Sequence, residues 1–242
     1  MALVRINKYL SMCGITSRRG ADDLIAQGKV TINDLTLTER GAIVDTDIDV
    51  VKVDGTEARP VDQLVYVLLN KPVSTMTTLN DPFKRRTVVH YLKNMTQRVY
   101  PVGRLDFDAE GVLILTNDGD LAFRLAHPRY QVPKIYEALV EGKFEKDGAE
   151  KIRRGIKLED GATGKAKVSV LGYADDETRI RMILTEGRKR EVKQLCKAVG
   201  HPVIRLRRVE DAGIQVGHLK PGQFRQLTRA EVSRLRQMVG LV

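Results

Sequence analysis

Hydrophobic and polar positions alternate with helical spacing at the start of the chain, give way to short β-prone runs, and then form a longer mixture of strands and helices. Ile6, Leu10 and Cys13 recur at helical spacing, with Gly14 where a C-cap would stand. Ser17 is placed as an N-cap before Ala21, Leu24 and Ile25, and Gly28 closes this second helix. Val30-Thr31-Ile32, a turn at Asn33-Asp34 and further β-prone stretches run to Val53. Residues 54–63 are polar, contain Gly55 and Pro60 and lack an apolar period, so they read as a linker. The pattern therefore predicts a small helix–helix–strand module over residues 1–60 and a second domain over 64–242.

The second domain opens on the strand-like run Leu64 to Leu69, bounded by Asn70-Lys71-Pro72. A helix candidate lies at Val88 to Leu92, and short strands at Arg98 to Val102 and Val112 to Leu115 flank a turn-rich loop. A helix over Asp120 to Ala126 is stopped by His127-Pro128, Val132 to Val140 alternates as a strand, residues 147–154 are helical, and 165–173 and 178–185 are β-rich. Val192, Leu195, Cys196 and Val199 form the apolar stripe of a late helix that Gly200 and Pro202 end. Strands and helices mix without a regular βαβ alternation, which predicts an α+β domain on a largely antiparallel sheet.

Charge adds a partner to this picture. The formal net charge is +10. Residues 1–60 hold 8 Lys and Arg against 9 Asp and Glu, so the second domain carries the whole positive excess. From Thr185 onward there are 13 basic residues against 5 acidic ones. Such a balance reads first as a nucleic-acid partner and second as an anionic membrane surface. No window approaches the length of an apolar span, and the start Met1-Ala2-Leu3-Val4-Arg5 lacks a signal-peptide core, so a soluble cytosolic protein is expected. Cys13 and Cys196 form no CxxC pair and have no metal-ligand spacing with the four His, which predicts two reduced thiols packed in helices. No glycine-rich strand–loop–helix suits a nucleotide cofactor.

Two cationic clusters break a local rule. Arg18 and Arg19 open the second predicted helix, and Arg188, Lys189 and Arg190 crowd the start of the late one, where the helix dipole disfavours cations. A phosphate across the helix terminus offsets that repulsion, and solvated arginines on an exposed face are the other reading.

Candidate chemistry concentrates between Pro101 and Gly119, where a loop from Gly103 to Gly111 carries Arg104, Asp106, Asp108 and Glu110. An isolated Asp in such a turn ordinarily caps backbone N–H groups. The whole string is more specific. Gly103-Arg104-Leu105-Asp106, four residues, Gly111, and an apolar strand ending in Thr116-Asn117-Asp118-Gly119 resembles the catalytic motif of pseudouridine synthases, in particular the ribosomal-RNA enzymes of the RsuA/RluB type. Arg5-Ile6-Asn7-Lys8-Tyr9-Leu10, Ser17-Arg18-Arg19, Leu24-Ile25, Gly28-Lys29-Val30 and Thr31-Ile32-Asn33 resemble an S4 RNA-binding module, with Asn33-Asp34 where that family usually has Asn-Gly. The segment Glu186 to Leu195 is closer to the RluB branch, which acts on large-subunit rRNA, than to the RsuA branch, which acts on small-subunit rRNA.

The resemblance implies an rRNA pseudouridine synthase that needs neither metal nor cofactor, and a monomer is expected. It assigns catalysis to Asp106. Tyr136, in Lys134-Ile135-Tyr136, would stack on the target uracil, and Lys193 would be the cation that keeps Asp106 ionised. Arg104 would enter the space the base vacates or hold a phosphate, and Leu195 would line the pocket. Spacing alone reads Lys189, Lys193 and Lys197 as a solvated stripe and Tyr136 as core packing. Arg5, Lys8, Arg18, Arg19 and Lys29 in the S4-like module, and Arg188, Lys189 and Arg190 in the second domain, are the expected phosphate contacts on ribosomal RNA or a pre-ribosomal particle. A non-catalytic S4-containing assembly factor explains the charge equally well, but does not require Asp106, Tyr136 and Lys193.

Overall fold

The structure, a computed structural model, describes residues 3–93 and 95–241. The chain divides into two compact units: one ends at Leu64 and takes in Thr96–Arg98, and the other comprises Val65–Met95 and Val99 onward.

In the first unit β1 (Leu3–Arg5) leads into α1 (Ile6–Met12) and α2 (Arg18–Ala26). The caps foreseen from sequence are present: the Ser17 hydroxyl accepts the Gly20 N–H at 3.1 Å, and Gly14 takes the left-handed φ of +72° just past α1. The short strands β2 (Val30–Ile32), β3 (Leu35–Thr36), β4 (Ile43–Asp45), β5 (Val51–Val53) and β6 (Thr56–Glu57) follow, with sheet order β3-β2-β5-β6 and β1 pairing β4. Ile6, Leu10, Ala21, Ile25, Val30 and Val44 are fully buried between helices and strands.

Residues 54–63 are not a free linker. Asp54 and Gly55, with φ of +48° and +78°, turn β5 back into β6, and Ala58 is buried where its carbonyl accepts the Tyr9 hydroxyl at 2.9 Å. Val61 donates to the Met12 carbonyl. A polar hairpin with one buried Ala shows no apolar period, which is why it reads as a linker.

The second unit is a nine-stranded sheet flanked by helices. Its further elements are β7 (Tyr66–Lys71), β8 (Tyr100–Pro101), β9 (Ala109–Thr116), α3 (Gly119–Ala126), β10 (Lys134–Glu141), α4 (Lys146–Arg154), β11 (Ile156–Lys157), β12 (Thr163–Gly164), β13 (Lys167–Ala174), β14 (Glu177–Leu184), α5 (Glu191–Ala198), β15 (Val203–Asp211), β16 (Ile214–Gln215), β17 (Phe224–Gln226) and α6 (Arg229–Met238). The main order is β13-β14-β10-β15-β9-β7-β17, with β16 on β15 and β8 on β9. Pairings are antiparallel except that of β15 with β9. The segment expected as a helix at 88–92 is one 3-10 turn, Val88–Tyr91.

The sheet buries both faces. Val67, Leu69, Leu113 and Leu115 face Ile152 of α4 and Val192, Leu195 and Cys196 of α5, whereas Leu68, Val112 and Ile114 face Leu121 and Leu125 of α3 and Leu235 of α6. All eight residues of β9 are buried, as expected of a central strand covered on both sides. β9 also starts earlier than the sequence pattern suggests, at Ala109, so Glu110 and Gly111 belong to the sheet rather than to the loop. Gly111 is required where it stands: it pairs with Arg208, has φ of +114°, and a Cβ there would lie 2.1 Å from the Arg208 carbonyl oxygen. Among the described residues no helix is long and apolar enough to cross a membrane.

Candidate active site

The loop Gly103–Asp108 ends at the middle of the sheet, and its backbone is tied on two sides. Lys71, at the end of β7 and fully buried, donates from Nζ to the carbonyls of Asp106 at 3.0 Å, Ala109 at 2.8 Å and Pro72 at 3.1 Å. Burial pushes its pKa down to about 8, while the neighbouring Asp106 and Asp108 charges pull it back up. Thr77 closes the other side: its hydroxyl donates to the Leu105 carbonyl at 2.6 Å and accepts the Leu105 N–H at 3.3 Å. With its carbonyls engaged, the loop presents its side chains outward in a fixed order.

Those side chains part company. Asp106 lines a cavity of about 280 Å³ together with Arg104, Leu105, Lys134, Tyr136, Leu184, Val192, Leu206, Arg208 and the 186–191 turn. Asp108 and Glu110 are engaged elsewhere. The Asp108 carboxylate takes the Lys193 ammonium at 2.5 Å on each oxygen, and that hydrogen bond holds its pKa below the usual carboxylate range. Glu110 accepts from Arg205 at 2.8 and 3.1 Å. Among the described residues no side chain hydrogen-bonds the Asp106 carboxylate.

Two sequence expectations are corrected by this geometry. Lys193 contacts Asp108, not Asp106: three acids within five residues compete for one lysine, and spacing does not say which of them faces α5. Leu195 is fully buried in the core beneath the sheet and does not line the cavity, whose apolar wall comes from Leu184, Val192 and Leu206. The stripe that points Leu195 inward carries it past the cavity, one turn beyond Val192.

Tyr136 and Arg208 face each other across β10 and β15, where a β-bulge interrupts the register between Ile135 and Tyr136. Burial raises the Tyr136 pKa, so its phenol stays neutral, although the Arg208 charge opposes that shift. Arg208 is 1% exposed; its Nε donates to the Val112 carbonyl at 2.7 Å. Nη2 lies 3.3 Å from Asp211 Oδ2 as an ion pair, without a hydrogen-bond partner of its own. Lys134, with its pKa lowered by burial, and Glu191, with its pKa raised by burial, complete a buried ionisable layer. The mouth is cationic, formed by the exposed Arg104, Arg188, Lys189 and Arg190. Arg188 is partly committed, to Glu186 at 2.9 Å and Asp160 at 3.3 Å. Arg190 is left-handed at φ +52° and N-caps α5 without a side-chain bond.

A cavity of mixed apolar and charged lining, with a tyrosine in its wall, the Asp106 carboxylate and a basic mouth, suits a flat polar group brought in on a phosphate backbone. Among the described residues no group of three or more His, Cys, Asp or Glu is placed to hold a metal ion.

Comparison with known proteins gives the family. The family described as RNA pseudouridylate synthase matches residues 65–198, which include the loop, Tyr136 and α5. The chain belongs to the RNA pseudouridine synthase family. It is 43% identical over 242 residues to an uncharacterized RNA pseudouridine synthase of Aquifex aeolicus, covering all of this chain and 97% of the relative. It is 40% identical over 236 residues to ribosomal large subunit pseudouridine synthase B of Bacillus subtilis, covering 97% and 96% of the two chains. A solved pseudouridylate synthase shares the fold at a TM-score of 0.70 and 24% identity, over 96% of this chain and 99% of that one.

Sequence reasoning missed Lys71, Thr77 and Arg208. Signals for two of them were present: Lys71 follows the apolar run Val65 to Leu69 and Asn70, just before a proline, and Arg208 shares the inward phase of Leu206 two residues earlier. The Thr77 contact closes over 28 positions and leaves no local trace.

The five S4-like candidates all lie in the first unit: Arg5, Arg18, Arg19 and Lys29 are exposed, Lys8 is half-buried, and Arg18 reaches the Asn7 side chain at 3.3 Å.

Proposed function

We propose that this enzyme converts one uridine of ribosomal RNA, in the large rather than the small subunit, to pseudouridine, with Asp106 as the catalytic carboxylate. The observation that carries the assignment is the separation of the loop acids: Asp106 alone of the three lines the cavity, unpaired, on the same cavity as Tyr136, while Asp108 and Glu110 are paired to Lys193 and Arg205. The reaction breaks the bond from uracil N1 to ribose C1′, turns the base, and forms a bond from C5 to C1′. The C5 proton is lost and N1 gains one, so the product is an isomer and the step is neither oxidation nor reduction. One ionised carboxylate serves as nucleophile or as base. Tyr136 is the face on which the extruded uracil rests, with its neutral hydroxyl beside Arg208. Arg104 occupies the room left in the helix or holds a phosphate. Lys193 acts at one remove, fixing the loop through Asp108.

Support for ribosomal RNA of the large subunit comes from the name of the Bacillus subtilis relative, which matches the chain along nearly its full length. The first unit is read as an S4 RNA-binding module whose Arg5, Lys8, Arg18, Arg19 and Lys29 hold phosphates, with Arg188, Lys189 and Arg190 doing the same at the cavity mouth. The enzyme works in the cytosol as a monomer and without cofactor. The test is tritium release from rRNA labelled at uracil C5. Asp106→Asn is expected to bind RNA as the wild type does and to release none; turnover in that variant would transfer the role to another group and overturn the assignment.

A further inference from the structure

Beside the cavity, at the C-terminus of α3, the chain gathers aromatic and cationic side chains that the proposed chemistry does not use. Ala126 lines the cavity wall. Immediately around it are Phe123, 52% exposed, and His127, Arg129 and Tyr130 in the following 3-10 turn, Pro128–Tyr130, and its cap. Phe123 and His127 have ring centroids 5.0 Å apart, and His127 meets Tyr130 edge-on at 6.5 Å. The Arg129 guanidinium lies over both flanking rings, 4.6 Å from the Tyr130 centroid and 5.8 Å from that of Phe123, and its Nη2 donates to the Tyr130 hydroxyl. Arg124 covers Tyr130 at 5.7 Å while anchored to the carbonyls of Val239 and Gly240.

The arrangement is built rather than loose. The His127 ring nitrogen accepts the Arg129 N–H at 3.2 Å, Gln131 takes φ of +49° to end the turn, and Lys134 Nζ holds the Val132 carbonyl at 3.3 Å. The chain has 5 Phe, 7 Tyr and no Trp. Of the two aromatic residues on this short segment next to the cavity, Tyr130 packs partly against the core around Leu121 and Leu125, whereas Phe123 leaves about half its surface in water. Rings and guanidinium planes of this kind stack on nucleobases.

We infer that Phe123, His127, Arg129 and Tyr130 form a stacking platform for an unpaired RNA base neighbouring the uridine in the cavity. The inference rests on the reading of the cavity as a uridine site. A base that leaves its stack to enter the cavity exposes the face of its neighbour. The platform, one residue from the cavity wall, replaces that missing stacking partner, and Arg129 adds charge complementarity to the adjoining phosphate.

The test uses the full chain and an RNA oligonucleotide with a single uridine among adenines, together with the same RNA made abasic at the nucleotides flanking the uridine. Phe123→Ala is expected to weaken binding of the intact RNA at least about 5-fold. The slope of affinity against salt is expected to stay unchanged, because the substitution removes no cation from the RNA backbone. Phe123→Trp is expected to restore affinity. The abasic RNA is expected to bind the wild type as weakly as the intact RNA binds Phe123→Ala, with no further weakening in the variant. If Phe123→Ala binds intact RNA like the wild type, or if abasic flanks weaken both proteins equally, the platform is wrong. A wild type that makes no pseudouridine in rRNA overturns the proposed function instead, and the binding comparison still decides the platform.

Discussion

Lys71 donates to three carbonyls at once and so fixes the backbone from which Asp106 projects. Burial costs its ammonium enough to bring its pKa from 10.5 to about 8. Below pH 8 the residue is protonated in both folded and unfolded chains, and the whole cost is present. Between about 8 and 10.5 the unfolded chain holds the proton and the folded one does not, so the contribution of Lys71 to stability rises with pH across that window. Against Lys71→Met, the wild type is expected to gain between about 1 and 3 kcal/mol of relative stability from about pH 7.5 to about pH 10 in denaturant titrations; a pH-independent difference would show that the group does not titrate there. Lys193 makes the opposite case. Its partner Asp108 is 65% exposed at the side chain, so the pair ranks with surface ion pairs, worth about 0.2–1 kcal/mol. A double-mutant cycle of Lys193→Met with Asp108→Asn is expected to give a coupling of that size, and the cycle with Asp106→Asn a coupling near zero. A coupling of roughly 3 kcal/mol with Asp106 would restore a buried pair that the geometry does not contain.

Among the elements, the parallel contact of β9 with β15 does most to assemble the cavity, because it sets Arg208 and Leu206 beside the Asp106 loop. It depends on the missing side chain of Gly111. Gly111→Ala is expected to reduce stability by more than about 3 kcal/mol, measured by chemical unfolding, since the clash is with backbone and no rotamer relieves it. A reduction under about 1 kcal/mol would mean the two strands can separate without harm. Elements of this kind also mark how far sequence carries. Capped helices were legible because Ser17, Gly14 and the α5 stripe are local signals. The start of β9 was not, because a strand buried on both faces has no alternation to betray its ends. Lys71 and Arg208 were passed over for a related reason: charged residues inside strands read as solvated until the sheet shows which face is covered. Asp106, Tyr136 and Arg104 were legible as a motif and share one cavity, whereas Leu195 and the partner of Lys193 depend on helix rotation that spacing leaves open by one turn.

At the scale of the molecule, the positive excess and the candidate site reside in the same unit, the second. The first unit holds slightly more acidic than basic residues, so any RNA it holds is gripped by a local face and not by net charge. Replacing Arg18, Arg19 and Lys29 together by Ala is expected to flatten the dependence of log affinity on log salt by roughly 0.7 to 0.9 for each phosphate that these side chains neutralise. The rate at saturating RNA is expected to hold, and an unchanged slope would show that these residues do not touch the RNA. The central claim is narrower: one carboxylate in one cavity isomerises a uridine of large-subunit ribosomal RNA. The most direct test maps pseudouridine along both large- and small-subunit rRNA from cells carrying the wild-type protein, Asp106→Asn, or no copy. The account predicts a pseudouridine in the large-subunit RNA that is present with the wild type and absent from the other two. A site that persists with Asp106→Asn, or one confined to the small subunit, would contradict it.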